Sequence, residues 1–173
     1  MWDRLVRWRW WLGGAALVLV GAIVAVVLWA SPSPSPAAPY RPPARERIYN
    51  TFTVCLLTGP QGIFGATAAP VWSGVQKAAN AANDQAEYLA ATTPVETVGS
   101  VTPYVNTLIL QQCGVVIAVG SVEIEAMGTV APQYAKVRFI AVGGGTAAAN
   151  VQVVPEPSTS AVAAAVGTAI QAG

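Results

Sequence analysis

A run of twenty uncharged residues near the N-terminus constrains this chain more than any other feature. Residues 11–30 read WLGGAALVLVGAIVAVVLWA. At about 1.5 Å per helical residue, the run spans roughly 30 Å, the thickness of the hydrocarbon core of a bilayer. Because it is apolar all round, it does not suit a helix with one face on a soluble core. The sequence therefore predicts one transmembrane helix over residues 11–30.

The charges beside this run predict its orientation. Arg4, Arg7 and Arg9 precede it, and Asp3 is the one acidic residue among residues 1–10. Basic residues stay on the cytoplasmic side, so we expect a cytoplasmic N-terminus and an extracytoplasmic remainder. A cleaved signal peptide is the alternative, but its apolar core is usually only about 7–15 residues long. We therefore expect a single-pass protein of the plasma membrane.

A proline-rich linker follows the predicted anchor. Residues 31–47 begin SPSPSPAAPYRPP. Frequent prolines prevent helix formation and remove backbone donors, so this backbone should be extended and polyproline-like. The sequence predicts a spacer between the membrane and a domain, and a proline-motif recognition segment is the alternative.

Composition excludes several classes of function. The chain has 173 residues, which leaves room for one domain over residues 48–173. Its formal net charge is +1, so we expect no nucleic-acid partner. It has no histidine and two cysteines, which excludes a histidine-dependent triad and leaves few ligands for zinc. We expect no metal, no cofactor and no enzymatic activity. Glu123 and Glu125 lie two apart on a predicted helix and do not face each other.

Strand-like and helix-like segments alternate from residue 48 onward. Such a β-α-β-α-β-α-β-α-β-α order predicts a doubly wound, five-stranded parallel sheet with helices on both faces. Right-handed crossovers make a doubly wound topology the natural one, and we expect the flavodoxin-like strand order 2-1-3-4-5 rather than a Rossmann-like order. Apolar runs predict strands over 51–58, 86–91, 115–119, 137–142 and 151–154, and amphipathic or Ala-rich segments predict helices over 70–82, 103–112, from 121, and from 158 or 159 to 171.

Capping residues set the predicted helix boundaries. Thr102 is the predicted N-cap of the second helix, with Pro103 in its first position. Ser121 is the predicted cap of the third helix, and Ser158 or Thr159 that of the last.

In an open parallel sheet, ligands bind at the carboxyl ends of the strands, where the strand order reverses. The loop over residues 59–65, GPQGIFG, lies there but lacks the lysine and serine of a phosphate-binding P-loop. The residues predicted at this edge offer hydrogen bonds and one aromatic surface. They are Gln61, Phe64, Thr92, Thr93, Gly120, Ser121 and Gly143.

Two observations about Cys55 and Cys113 disagree. An extracytoplasmic location favours a disulfide between them. If the strands end level, however, Cys113 lies about 10 Å from Cys55, and a bridge needs Cα atoms within about 7 Å. Both alternatives stay open from the sequence.

Four segments between residues 53 and 144 carry a family resemblance. They read VCLLTGPQGIFG, APVWSGVQKAA, GVVIAVGSVEIEAM and VRFIAVGG. They resemble the N-terminal lobe of the basic membrane protein family, the type I periplasmic-binding-protein-like receptors of ABC importers. The resemblance implies one lobe of such a receptor and a small-molecule ligand such as a nucleoside. The family's acidic ligand residue is missing from the first loop, and Gly143 stands where the family has an Asp after the fourth strand.

Two hypotheses for function follow. The first is a membrane-anchored, extracytoplasmic solute-binding-like domain that senses or presents a small molecule or a partner. An importer, a sensor or a second copy in a homodimer would then supply the missing lobe. The second is a structural or assembly protein that reuses the lobe without a ligand, and the loss of the acidic residues favours it. The bias toward Ala, Val and Pro is typical of a GC-rich, for example actinobacterial, genome.

Overall fold

The computed structural model describes residues 50–172. The predicted cytoplasmic segment, anchor and linker, residues 1–47, lie outside the described residues. Within residues 50–172, no helix is both long and apolar enough to cross a bilayer. The strands are β1 (Thr53–Thr58), β2 (Gln85–Ala90), β3 (Val115–Val119), β4 (Arg138–Val142) and β5 (Val151–Val154), and the helices are α1 (Ala68–Ala82), α2 (Val98–Leu110), α3 (Ser121–Val130) and α4 (Thr159–Gln171).

All four pairs of neighbouring strands are parallel, in the order β2-β1-β3-β4-β5. The predicted α/β fold and its strand order are confirmed. The chain adds β2 on one side of β1 and then crosses to the other side for β3, β4 and β5. The strand order therefore reverses between β1 and β3, as predicted.

The connection between β4 and β5 differs from the predicted alternation. Residues 143–150 contain no helix, and β5 follows β4 after a glycine-rich loop closed by a bridge between Ala148 and Val151. Gly143 and Gly145 have φ angles of 90° and 98°, which favour glycine. The backbone turns back tightly here, so eight residues replace the usual crossover helix.

The sheet separates two apolar layers because successive side chains on a strand point to opposite faces. On β1, Val54 and Leu56 face α1 and α4, whereas Cys55 and Leu57 face α2 and α3. All five residues of β3 are buried. Burial on both faces explains why this central strand is continuously apolar in sequence.

Helices α1 and α4 pack closely at Gly74. A Cβ atom there would lie 2.8 Å from the carbonyl oxygen of Thr159 and 2.9 Å from Cβ of Val162. The hydroxyl of Thr159 also donates to the carbonyl of Pro70 at 3.1 Å. The absence of a side chain at Gly74 therefore sets how near the two helices approach.

We expect Gly74→Ala to lower the free energy of unfolding by about 1–3 kcal/mol, because the new methyl group meets backbone. Gly167→Ala on α4 is the matched control, since nothing lies within 4 Å of its added Cβ atom. This control should raise stability by about 0.5–1 kcal/mol. Urea unfolding of both variants measures the difference, and equal effects would contradict the close packing.

Helix α2 begins earlier than predicted. Thr97, not Thr102, is its N-cap, and Thr97 and Ser100 form a reciprocal capping box. Pro103 therefore lies inside the helix rather than in its first position. The capping box satisfies the backbone N–H groups of Thr97 and Ser100, and this offsets the hydrogen bond that proline removes one turn later.

The N-cap of α3 differs from the predicted residue, whereas the N-cap of α4 is one of the two predicted residues. Gly120, with a φ of 116°, occupies the N-cap of α3, so Ser121 is the first helical residue and not the cap. For α4 the sequence predicted Ser158 or Thr159, and the structure selects Ser158, whose side chain accepts from the backbone N–H of Ala161.

The structure joins Cys55 and Cys113 in a disulfide, with their Cα atoms 5.9 Å apart. The separation of about 10 Å assumed that β3 extends straight back to residue 113. Instead, the chain turns at Gln112, which has a φ of 63°, and β3 begins only at Val115. The turn places Cys113 in the apolar layer that also contains Cys55.

Candidate functional site

A pocket of about 360 Å³ lies where the strand order reverses. Because Thr58 pairs with Val119, β1 and β3 end level. The chain leaves β1 toward α1 on one face of the sheet and leaves β3 toward α3 on the other. The loop from Gly59 to Ala68 and the first turn of α3 line the space between them. We call this space the switch-point pocket.

Glu123 is the buried charged group of this pocket. It lies in the first turn of α3 and is 2% exposed. Its side chain folds back over the helix N-terminus, where a Cβ atom at Gly120 would overlap its Oε2. The partial positive charge of the N-terminus favours a carboxylate there. Glycine at position 120 therefore does two things: it adopts a positive φ angle, and it leaves the space that the Glu123 side chain occupies.

Glu96 brings a second carboxyl group to Glu123. A Cβ atom at Gly59 would lie 3.2 Å from Oε1 of each glutamate, so both side chains meet beside this glycine. With both glutamates ionised, the buried Oε1 atom of Glu123 has no hydrogen-bond donor among residues 50–172. Two ionised carboxylates cannot donate to each other, so they form a hydrogen bond only when one carries a proton.

This environment changes the titration of Glu123. Burial, followed by the hydrogen bond with Glu96, raises the pKa of Glu123 from 4.5 to about 7. A hydrogen bond to the backbone of Glu123 opposes the shift, and the charge of Glu96 adds to it. Near neutral pH, the carboxyl of Glu123 is therefore protonated in about half of the molecules.

A larger pocket of about 710 Å³ adjoins the first. It lies between α3 and the loop after β4, and its walls include Ile124, Met127 and Val151. Most of its surface is apolar. The missing crossover helix between β4 and β5 leaves this space open, and we call it the apolar pocket. Both pockets share Thr67, Gly120 and Ser121.

Four of the seven predicted edge residues line these pockets. Gln61 lines the switch-point pocket, and Gly143 lines the apolar pocket. Gly120 and Ser121 line both. The structure thus brings together the residues that follow β1, β3 and β4.

The other three predicted residues line neither pocket. Phe64 is 88% exposed on a short 3-10 helix, so it offers no enclosed stacking surface. Thr93 donates its hydroxyl to the carbonyl of Val95, and the carbonyl of Thr92 accepts from the hydroxyl of Tyr104. These threonines organise the loop between β2 and α2.

Sequence reasoning missed the pair of Glu96 and Glu123. It compared Glu123 with Glu125 and found no facing carboxylates, whereas the partner comes from a different loop. The predicted strand order contained the signal, because β2 and β3 both flank β1. The segments that follow them therefore meet above the end of β1.

The charges around both pockets have one sign. Glu96 and Glu123 line the switch-point pocket, Glu125 lines the apolar pocket, and neither pocket is lined by lysine or arginine. The described part of the chain contains no group of three or more His, Cys, Asp or Glu residues that could hold a metal ion. The arrangement suits organic groups that donate hydrogen bonds or carry positive charge.

We expect Glu123→Gln to stabilise the fold increasingly as pH rises. The folded protein holds the Glu123 proton more tightly than the unfolded chain, so the wild type loses stability between about pH 4.5 and pH 7. Glutamine stays neutral and avoids this loss, which is on the order of 2 kcal/mol. Denaturant unfolding from pH 4.5 to 8 measures it, with exposed Glu156→Gln as the control. A stability difference that does not change with pH would contradict the burial of an ionisable Glu123.

Comparisons with known proteins establish the fold alone. No known protein family and no curated protein matches the sequence. Among solved structures, the chain is similar to a crystallised fragment described as a "putative lipoprotein" from Peptoclostridium difficile 630. The two share 14% identity with a TM-score of 0.55, over 70% of this chain and 97% of that one. This likeness fits a single-lobe α/β domain, and the resemblance to the basic membrane protein family stays a prediction.

Proposed function

We propose that residues 48–173 form a solute-binding domain and that residues 11–30 anchor it outside the cell. The observation that carries this proposal is the buried Oε1 atom of Glu123, which has no hydrogen-bond donor. Buried polar atoms in folded proteins nearly always have a partner. Glu123 lines a pocket at the reversal of strand order, where ligands of such folds bind. A donor group on a solute would supply the hydrogen bond that Oε1 of Glu123 lacks.

The geometry favours binding over catalysis. Glu123 is held against the backbone at Gly59 and Gly120 and is almost completely buried. Its buried Oε1 atom lacks a partner and can hold one donor group of a solute. We therefore propose no enzymatic activity for this site.

The open geometry suggests that a second surface completes the site. Tight small-molecule sites bury about 70–90% of their ligand, and one lobe leaves its strand ends open. A second copy of the chain, an importer or a sensor would supply the missing cover. The resemblance to type I periplasmic-binding receptors supports this role, as does the description of the structural neighbour as a lipoprotein.

We expect a single membrane crossing with the domain outside the cell. The uncharged run of residues 11–30 and the three preceding arginines support this orientation. A reporter that is active only outside the cytoplasm, fused after Gly173, should be active. The matched control places the reporter before residue 1, where it should be inactive. A mature chain that starts near Ser31 in the medium would contradict the anchor.

We expect the monomeric full-length protein in detergent to bind neutral solutes weakly. Nucleosides and sugars should show a Kd of about 1 mM or weaker, because one open lobe makes few contacts. Any binding should be weakened by Glu123→Gln and unchanged by exposed Glu156→Gln. Calorimetry measures both. Sub-micromolar nucleoside binding by a monomer would contradict the open site, and binding unaffected by Glu123→Gln would contradict the proposed role of this pocket.

A further inference from the structure

The two adjoining pockets differ in chemistry. The switch-point pocket presents two carboxyl groups, from Glu96 and Glu123, and the apolar pocket presents mainly hydrocarbon. They meet at Thr67, Gly120 and Ser121. One solute can therefore contact both, provided that it has a polar head and an apolar body.

We infer that the solute is a small organic amine, whose ammonium group contacts Glu96 and Glu123 and whose apolar body lies in the apolar pocket. This inference rests on the proposed solute-binding function and names its ligand class. A volume of about 710 Å³ falls within the usual range for small-molecule sites.

An anionic head would be poorly placed in the switch-point pocket. The N-terminus of a helix favours negative charge, but the carboxyl of Glu123 already lies at the N-terminus of α3. The carboxyl of Glu96 lies beside it, and no lysine or arginine lines the pocket. An added anion would meet two acidic side chains without a compensating base.

An ammonium head meets the unsatisfied acceptor better than a neutral group does. It carries three N–H donors and a positive charge, so it can donate to Oε1 of Glu123 and to Glu96 together. A hydroxyl has one donor and no charge. When the ammonium group binds at or below about pH 7, the proton on Glu123 leaves to solvent. Binding thus exchanges one positive charge for another.

Proton release makes the affinity depend on pH. The groups that face Glu123 are Glu96, from the loop before α2, and the N-terminus of α3; the α1 side of the pocket contributes Gln61 and Thr67, which do not titrate here. Because Glu123 titrates near pH 7, amine affinity should rise about tenfold from pH 6 to pH 8.

The first test compares three probes of the same shape: benzylamine, benzyl alcohol and benzoate. Their binding to the full-length protein in detergent is measured at pH 8 by calorimetry or ligand-observed NMR. We expect benzylamine to bind at least tenfold more tightly than benzyl alcohol, and benzoate more weakly than either. Equal or tighter binding of the alcohol or benzoate would overturn the amine assignment but leave the solute-binding function standing. Failure of benzylamine to bind would also overturn it. If no neutral, anionic or cationic probe bound, the proposed function would fail as well.

The second test separates the two parts of the site. Glu123→Gln should remove the preference for benzylamine over benzyl alcohol, whereas exposed Glu156→Gln should retain it. Gly128→Leu places a side chain in the apolar pocket, where nothing lies within 4 Å of its Cβ atom. It should weaken benzylamine at least tenfold and leave methylamine unchanged.

Gly167→Leu is the matched control for the apolar pocket, since Gly167 is another helical glycine with open space around it and lines neither pocket. It should leave benzylamine binding unchanged. Thermal unfolding shows whether each variant is folded. If folded Gly128→Leu bound benzylamine like the wild type, the apolar body would not occupy this pocket.

Discussion

The parallel pairing of β1 with β3 is the interaction on which the rest of the structure depends. Thr58 lies opposite Val119, so both strands end at the same level. The chain then leaves them toward opposite faces of the sheet, which opens a space that neither helix fills. Every other strand extends the sheet from this pair, and both apolar layers pack against it.

The acidic pair at this opening conflicts with the apolar layers around it. Burying a carboxylate is unfavourable unless the group is paired, and here it faces a second acid. Gly59 and Gly120 leave the space that the two side chains occupy. A local conflict of this kind, in a fold that is otherwise consistent, is where functional sites are usually found. The proposed solute-binding role gives the pair a partner that the fold itself does not provide.

The fold was more predictable than the site. Continuously apolar strands alternating with Ala-rich segments predicted the α/β sheet, and the handedness of crossovers predicted its doubly wound topology. The start of α2 was predicted at Pro103 instead of Val98, because Pro103 is a stronger local signal in the sequence than the capping box at Thr97. Predicting the site required recognising that Glu96 and Glu123 lie next to each other in the fold. They lie 27 positions apart, and no periodicity relates a residue in the loop before α2 to one in the first turn of α3.

By itself, the sequence determined the strand order, the two-sided burial of the central strand and an α4 cap at Ser158 or Thr159, because these depend on local pattern and on the topology rules of parallel sheets. Only the tertiary structure decided three other features. The turn at Gln112 brought Cys113 to Cys55, the short β4–β5 connection left the apolar pocket open, and level strand ends brought Glu96 to Glu123. Each depends on the path that a connecting segment takes, and contacts between residues distant in sequence determine that path.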